Sequence, residues 1–165
     1  MTTELRPWTE RPYLSGSILN PALIASILAW AAIRHRSSGR GEMPLAASLL
    51  VVPLVLHTET RRRLPTTTRS HLTKWLSDNQ DLAAAFPSRA RRFAPHVLEG
   101  LRFGLRSGAL SLSETGGLIG QIPPSPDLGA DSELRAILTA AGLVGAWLGK
   151  AGTVANNYIM FGVAP

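Results

Sequence analysis

The stretch that decides the predicted fold class lies at residues 95–122 and reads PHVLEGLRFGLRSGALSLSETGGLIGQI. Its first half predicts an amphipathic helix over 95–107 that stops at Gly108, because apolar and polar side chains recur at helical spacing on opposite faces. The apolar face is expected to hold Val97, Leu98, Leu101 and Leu105, and the polar face His96, Glu99, Arg102 and Arg106.

The second half of this stretch predicts a β-hairpin. Polar and apolar residues alternate across 109–113 and again across 118–122, and Glu-Thr-Gly-Gly at 114–117 supplies the turn. Helices followed by a basic amphipathic helix and a hairpin are the order found in winged-helix domains, an analogy of fold that does not establish DNA binding. We therefore predict a mostly α (α+β) fold: a multi-helix domain with a small β-hairpin, winged-helix-like over about 66–122.

Upstream of this stretch, the sequence predicts an extended N-terminal arm over 1–17 and then a single mostly helical domain over 18–165. Asn20 before Pro21 is a strong helix start, because Asn caps a helix and proline suits its first position. The basic residues up to Arg36 suit the C-terminal end of that helix.

Further helices are expected between this first helix and the decisive stretch. One should begin near Pro44 and kink or break at Pro53, and a basic loop should follow at 61–65. Shorter helices are expected from Ser70 to Leu76 and over 80–86, where Pro87 ends the second.

Downstream of the hairpin, the prolines at 123–126 predict a surface loop. Asp131 or Ser132 should cap a last helix that runs to about Gly149. The apolar tail 154–163 is expected to be buried, with a strand as its candidate form.

Composition predicts a folded domain. The chain has 165 residues, of which 45% are apolar and only 17% charged, against roughly 25% charged in an average globular domain. A chain of this kind holds enough apolar surface to offset the entropy of ordering, which excludes a disordered charged tail as its main identity. The absence of cysteine excludes disulfides, thiolate catalysis and cysteine-ligated metal centres.

Membrane insertion is not expected. The apolar stretches 21–33, 44–56 and 137–149 are each about 13 residues long, whereas a spanning helix needs roughly 20. The first residues, with an acid and a proline, do not resemble a signal peptide. We therefore expect a cytoplasmic protein without a membrane partner.

No enzyme signature is found. The four histidines form no His-Glu-x-x-His pair, and no Gly-x-x-x-x-Gly-Lys-Ser/Thr loop is present to hold nucleotide phosphates. Ser70-His71 does not lie in a nucleophile elbow, and the carboxylates are scattered. We therefore expect a protein that is not an enzyme and has neither a catalytic residue, a metal site nor a cofactor.

The charge is concentrated in one segment. The formal net charge is +6, and residues 57–106 hold ten of the 17 Lys and Arg but only four of the 11 Asp and Glu, so this segment carries all of it. A basic surface binds nucleic acid or an acidic protein partner, and arginine forks suit phosphate and carboxylate equally; a merely solvated face is the third interpretation. The ten candidate contacts are Arg61, Arg62, Arg63, Arg69, Lys74, Arg89, Arg91, Arg92, Arg102 and Arg106.

Several segments resemble a known family over about residues 12–165. They are Leu19-Asn-Pro-Ala-Leu23, the run from Gly41 to His57, Thr60-Arg61, Leu64-Pro65, Trp75-Leu76, Phe103–Gly108, Trp147-Leu148 and Phe161-Gly-Val-Ala-Pro165. Together they are similar to the middle component of bacterial three-component ABC-type conflict systems, a Lamassu-like accessory subunit.

The resemblance implies an antiviral defence complex. In it an accessory subunit stands beside an ABC/SMC-like ATPase with a long coiled coil and an effector, often a nuclease. This chain would link the ATPase to the effector, with DNA as a further partner, and ATP chemistry would belong to the ATPase. The surplus of apolar helix suits a surface covered by another chain. The alternatives are a stand-alone winged-helix DNA-binding regulator that uses residues 61–106, and an enzyme with a composite active site.

Overall fold

Helix α1 (Pro21–His35) runs through the middle of the structure, a computed structural model that describes residues 5–7, 10, 19–121 and 132–163. Its predicted start is confirmed, because the Asn20 side-chain oxygen accepts a hydrogen bond from the Ala22 N–H at 2.8 Å. Most of the predicted arm, the proline loop at 123–126 and Asp131 lie outside the described residues.

A small three-stranded antiparallel sheet lies on α1. β2 (Leu110–Leu112) and β3 (Gly117–Gly120) form the predicted hairpin, and β1 (Met43–Pro44) pairs with the other edge of β3 in the order β1-β3-β2. β1 was not predicted, because two residues are too short to show alternation. Gly120 allows the close approach, since a Cβ there would overlap the backbone of Ala29 on α1.

The chain after β1 forms two helices, α2 (Ser48–Leu56) and α3 (Thr58–Arg62), joined at His57. The predicted break at Pro53 is wrong, because α2 continues through it. Proline removes one backbone hydrogen bond at a cost of about 3 kcal/mol, but every residue from Leu50 to Leu56 is buried, and each large side chain gains about 1.5–3 kcal/mol from burial. The predicted basic loop is likewise partly helical, since α3 extends to Arg62.

The long helix α5 (Gln80–Ser107) follows α4 (Leu72–Asp78), and Asn79 lies between them. We expected α4 to begin from Ser70, but His71 precedes its first residue. We also expected two helices, 80–86 and 95–107, but α5 is continuous through both prolines. A buried apolar face from Leu82 to Leu101 packs against α1 and α2 and holds it together. The predicted stop at Gly108 is confirmed by its left-handed backbone, with φ 79°.

Helix α6 (Glu133–Ala151) packs along α1. Its cap is Ser132, whose hydroxyl accepts from the Arg135 N–H at 3.1 Å. The two backbones lie so close that a Cβ on Gly145 would overlap the Ala31 carbonyl. With 19 residues α6 is the one described helix that meets the length and apolarity of a membrane span, and 56% of that apolar window is buried in this fold, as in the core helices of globular domains.

The tail forms helix α7 (Val154–Met160) and not a strand. The Thr153 side chain caps it by accepting from the Asn156 N–H. Beyond α7, the ring of Phe161 packs 4.5 Å from the ring of Phe86 on α5, centroid to centroid. The buried side chains of all the longer helices form one hydrophobic core. The mostly helical fold with a small sheet is thereby confirmed, and the winged-helix-like part over 66–122 stays a prediction.

Candidate partner-binding surfaces

The ten predicted basic contacts do not form one patch. Four of them are held by interactions inside the fold, namely Arg61, Arg63, Lys74 and Arg89. The other six are exposed and form no ion pair with any residue that the structure describes: Arg62, Arg69, Arg91, Arg92, Arg102 and Arg106.

Arg89 is an interior residue, which corrects its assignment as a surface contact. Only 4% of it is exposed, and its guanidinium donates to the Thr60 hydroxyl oxygen at 2.9 Å. Burial, followed by the positive charge of Arg92, lowers the pKa of Arg89. The signal was present in the sequence, because Arg89 follows Leu82 and Phe86 at helical spacing on the buried face of α5.

His57 completes this buried network. Its Nδ1 accepts from the Thr60 backbone N–H at 3.2 Å and lies 2.8 Å from the Thr60 hydroxyl oxygen. Because Nδ1 is an acceptor, the neutral ring carries its proton on Nε2, and the Thr60 hydroxyl donates to Nδ1 while it accepts from Arg89. Burial, followed by the charge of Arg89, lowers the pKa of His57. The three side chains therefore fix α3 against α5.

The Arg61-Arg62-Arg63 run is mostly structural. Arg61 donates to the Val55 carbonyl at 2.8 Å and to Glu133 of α6 at 3.0 Å. Arg63 pairs with Glu59 and Asp81, and its carbonyl accepts from the Trp75 indole N–H. Only Arg62 of the three points to solvent without an ion pair to a described residue.

The exposed side of α5 carries both charge and large apolar groups. We expected Leu98 and Leu105 on the core face, but they are 42% and 39% exposed. The buried face contains glycines in their place, because a Cβ on Gly100 would overlap the Ile24 side chain of α1. Because α5 approaches α1 closely at these glycines, Leu98 and Leu105 lie on the exposed side of the helix.

We name this side the α5 outer face. Arg91, Leu98 and Leu105 recur every seven residues along it, with Arg102 between the leucines, a spacing typical of a seam that receives another helix. Arg106 flanks the seam. Phe103, which is 44% exposed, lies about 140° around the helix from Leu98 and is not part of this face. The set is Arg91, Leu98, Arg102, Leu105 and Arg106.

A second basic surface surrounds a cavity of about 280 Å³ beside the start of α4. We name it the loop cavity. Its polar lining comes from residues 68–73 and from Lys150 at the end of α6, and Trp147, Leu72 and Met160 form its apolar wall. Arg69 lies in the predicted basic segment, whereas Lys150 was not predicted as a contact, because the two residues are 81 positions apart in the chain.

Another cavity, of about 320 Å³, lies between the turn after α1 and the start of α7. Its lining includes Arg40 and His35 together with the carboxylate of Glu42. Burial lowers the pKa of His35, and its hydrogen bond to the Gly41 carbonyl partly opposes this. Within the described residues, no three His, Asp or Glu side chains come together as a metal-binding group.

The fold and these surfaces define a class, a small mostly helical protein that presents two separate basic surfaces. A family model described as "ABC-three component (ABC-3C) system Middle Component 3" matches residues 8–165. The chain therefore belongs to the ABC-3C Middle Component 3 family, which confirms the resemblance to a middle component. Neither a curated protein nor a solved structure matches it.

Proposed function

We propose that this chain is a non-enzymatic adaptor of a bacterial defence complex that links the ABC ATPase of its system to the effector, in the cytoplasm. Membership in a family of middle components supports a role as an accessory subunit. The observation that carries the proposal is the α5 outer face, where large apolar side chains lie exposed among arginines that form no ion pair with a described residue.

The chemistry of the α5 outer face favours a protein over DNA. Covering the exposed part of Leu98 or Leu105 is worth about 1 kcal/mol for each side chain, and a helix with its own apolar stripe supplies that cover. The flanking arginines select an acidic partner and speed its association. We therefore expect the occupant to be an acidic amphipathic helix of a partner component.

A linker needs a second contact at a distance from the first. Ile159 on α7 is 76% exposed and lies two residues before Phe161, which packs on Phe86 near the start of α5. Phe86 and Leu105 are 19 residues apart, which is about 28 Å along a helix. We propose that the α7 end and the α5 outer face bind different components.

The stand-alone DNA-binding regulator is the rival proposal. The hairpin that follows α5 favours it, since a winged-helix domain would present α5 to the major groove. The exposed leucines at 98 and 105 on that side of α5 are a poor match for a phosphate-lined groove. A regulator would also act without partners, whereas the family is one component of three.

The adaptor proposal is tested by co-expression of the chain with the ATPase and effector encoded beside it. The Leu98→Ser/Leu105→Ser variant should lose one of the two components from a co-purified complex, with roughly 30-fold weaker binding from two lost apolar contacts. The matched control is Leu134→Ser, which changes a leucine of similar exposure, 40%, on α6. Full retention of both components by the double variant would show that the α5 outer face is not the contact.

A further inference from the structure

The described lining of the loop cavity contains two cations, Arg69 and Lys150, and neither Asp nor Glu. We propose that this cavity binds a phosphate group, either of a DNA backbone or of a free nucleotide. The proposal is independent of the adaptor function, because no residue of the α5 outer face lines the cavity.

The cavity is held in shape by hydrogen bonds between its two sides. The Lys150 ammonium donates to the Thr68 hydroxyl at 2.8 Å, and the Trp147 indole N–H donates to the Ser70 carbonyl at 2.6 Å. Trp147 is 1% exposed, and its ring packs edge-on against Trp75 at 5.6 Å. A site fixed in this way loses little conformational entropy when a ligand enters.

The cations of the cavity are available to an anion. Arg69 and Lys150 form no ion pair with a described residue, whereas Lys74 on the neighbouring helix is paired with Asp78 at 2.9 Å. Among the described residues, the hydrogen-bond partner of Lys150 is the neutral Thr68 hydroxyl. Arg69 and Lys150 therefore line the cavity with no described carboxylate to compensate their charge, which suits a phosphate oxygen.

The remaining polar groups complete the match to phosphate. Thr68, Ser70 and Thr73 also line the cavity, and each carries a hydroxyl that can donate to a phosphate oxygen. The volume is near the lower limit for small-molecule pockets, which suits one phosphate with its attached sugar. The cavity that holds Glu42 and Arg40 carries both signs of charge and does not select an anion in this way.

The test uses the full chain and the variant Arg69→Gln/Lys150→Gln. The variant Arg36→Gln/Arg40→Gln is the control, since it removes the same charge from exposed positions elsewhere. Binding of a fluorescent DNA duplex is measured against salt concentration, and inorganic phosphate and ATP are then titrated as competitors. Unchanged thermal unfolding establishes that both variants are folded.

We expect the cavity variant to lose about tenfold in affinity and to reduce the salt slope by about one, because one phosphate contact is lost. The control variant should show at most half of that loss in affinity and half of that change in salt slope. Competition by millimolar phosphate or ATP identifies a free nucleotide as the ligand, and its absence identifies the DNA backbone. Two results would overturn the proposal: equal losses in the two variants, or no binding of duplex, phosphate and ATP by the unaltered chain.

Discussion

The α5 outer face and the loop cavity carry the same kind of charge but differ in what surrounds it. On α5, arginines that form no ion pair with a described residue lie beside Leu98 and Leu105, whereas in the loop cavity Arg69 and Lys150 lie among hydroxyls. Charge attracts any polyanion at long range, but the neighbouring groups determine what can dock. The difference is the basis for our proposals that the first surface binds a protein helix and the second a phosphate.

A third set of basic residues sharpens this contrast. Arg89 is buried and Arg61 is mostly enclosed, so both hold helices together and are not available to a ligand. The ten basic residues of this segment of 50 therefore occupy different environments, among them the interior (Arg89), an apolar surface (Arg91, Arg102 and Arg106) and a polar cavity (Arg69). Net charge alone does not distinguish these environments.

The largest expected effect concerns the close packing of α5 against α1 at Gly100. Gly100→Leu should destabilise the fold by about 3 kcal/mol, because its side chain would enter the space of Ile24 on α1. The midpoint of thermal unfolding, Tm, should fall by about 6–12 °C for a chain of this size. Ala85→Leu, at an exposed position of the same helix, is the control and should shift it little. A stable Gly100→Leu variant would mean that α5 does not depend on this close approach.

The next effect separates the two surfaces directly. Leu98→Ser/Leu105→Ser should weaken partner binding roughly 30-fold and leave the salt slope of DNA binding unchanged, because it removes no cation. Arg69→Gln/Lys150→Gln should reduce the salt slope of DNA binding and leave partner binding unchanged. Both ligands are measured for both variants by fluorescence anisotropy. Equal damage to both ligands by either variant would show that the surfaces act as one.

A smaller effect is expected from charge on the α5 outer face. Arg91→Glu/Arg102→Glu should slow association with the acidic partner about tenfold at 50 mM salt, and the difference should shrink at high salt as charges are screened. Stopped-flow association rates measure this, with Arg36→Glu as a control on another surface. A salt-independent loss would indicate damage to packing and not to electrostatic attraction.

The smallest effect concerns pH and the interior network. Burial lowers the pKa of His57 and of His35 in the folded chain, so the unfolded chain binds more protons as pH falls below about 6.5. Stability should therefore be full above that pH and decline toward the lower folded pKa values. His57→Asn, which keeps a side-chain acceptor for the Thr60 N–H, should reduce the decline in urea unfolding between pH 7 and 5. An identical decline in that variant would exclude His57 as a cause.

Local signals in the sequence predicted a large part of the fold. The Asn20-Pro21 start, the Gly108 stop and the hairpin at 110–120 each depend on nearby residues, and all three are confirmed. The continuity of α2 through Pro53 depends on burial against other helices, which no local pattern reveals. Helical patterns identify elements, whereas their interruption by proline is decided by tertiary packing.

The candidate surfaces were predictable only in part. The basic segment was predicted from the count of charged residues. The exposure of Leu98 was not predicted, because it depends on the packing of the α5 glycines against α1. The loop cavity needs Lys150 and Arg69 to meet across the fold, which spacing cannot show. Arg89 is different, since its helical spacing from Phe86 already placed it on the buried face.

The central claim is that the α5 outer face binds a partner component. Its most direct test is the co-purification of the ATPase and effector components with Leu98→Ser/Leu105→Ser, compared with Leu134→Ser and with Arg69→Gln/Lys150→Gln. We predict that the first variant loses a component while the other two retain both. Retention of both components by the α5 variant would contradict the claim.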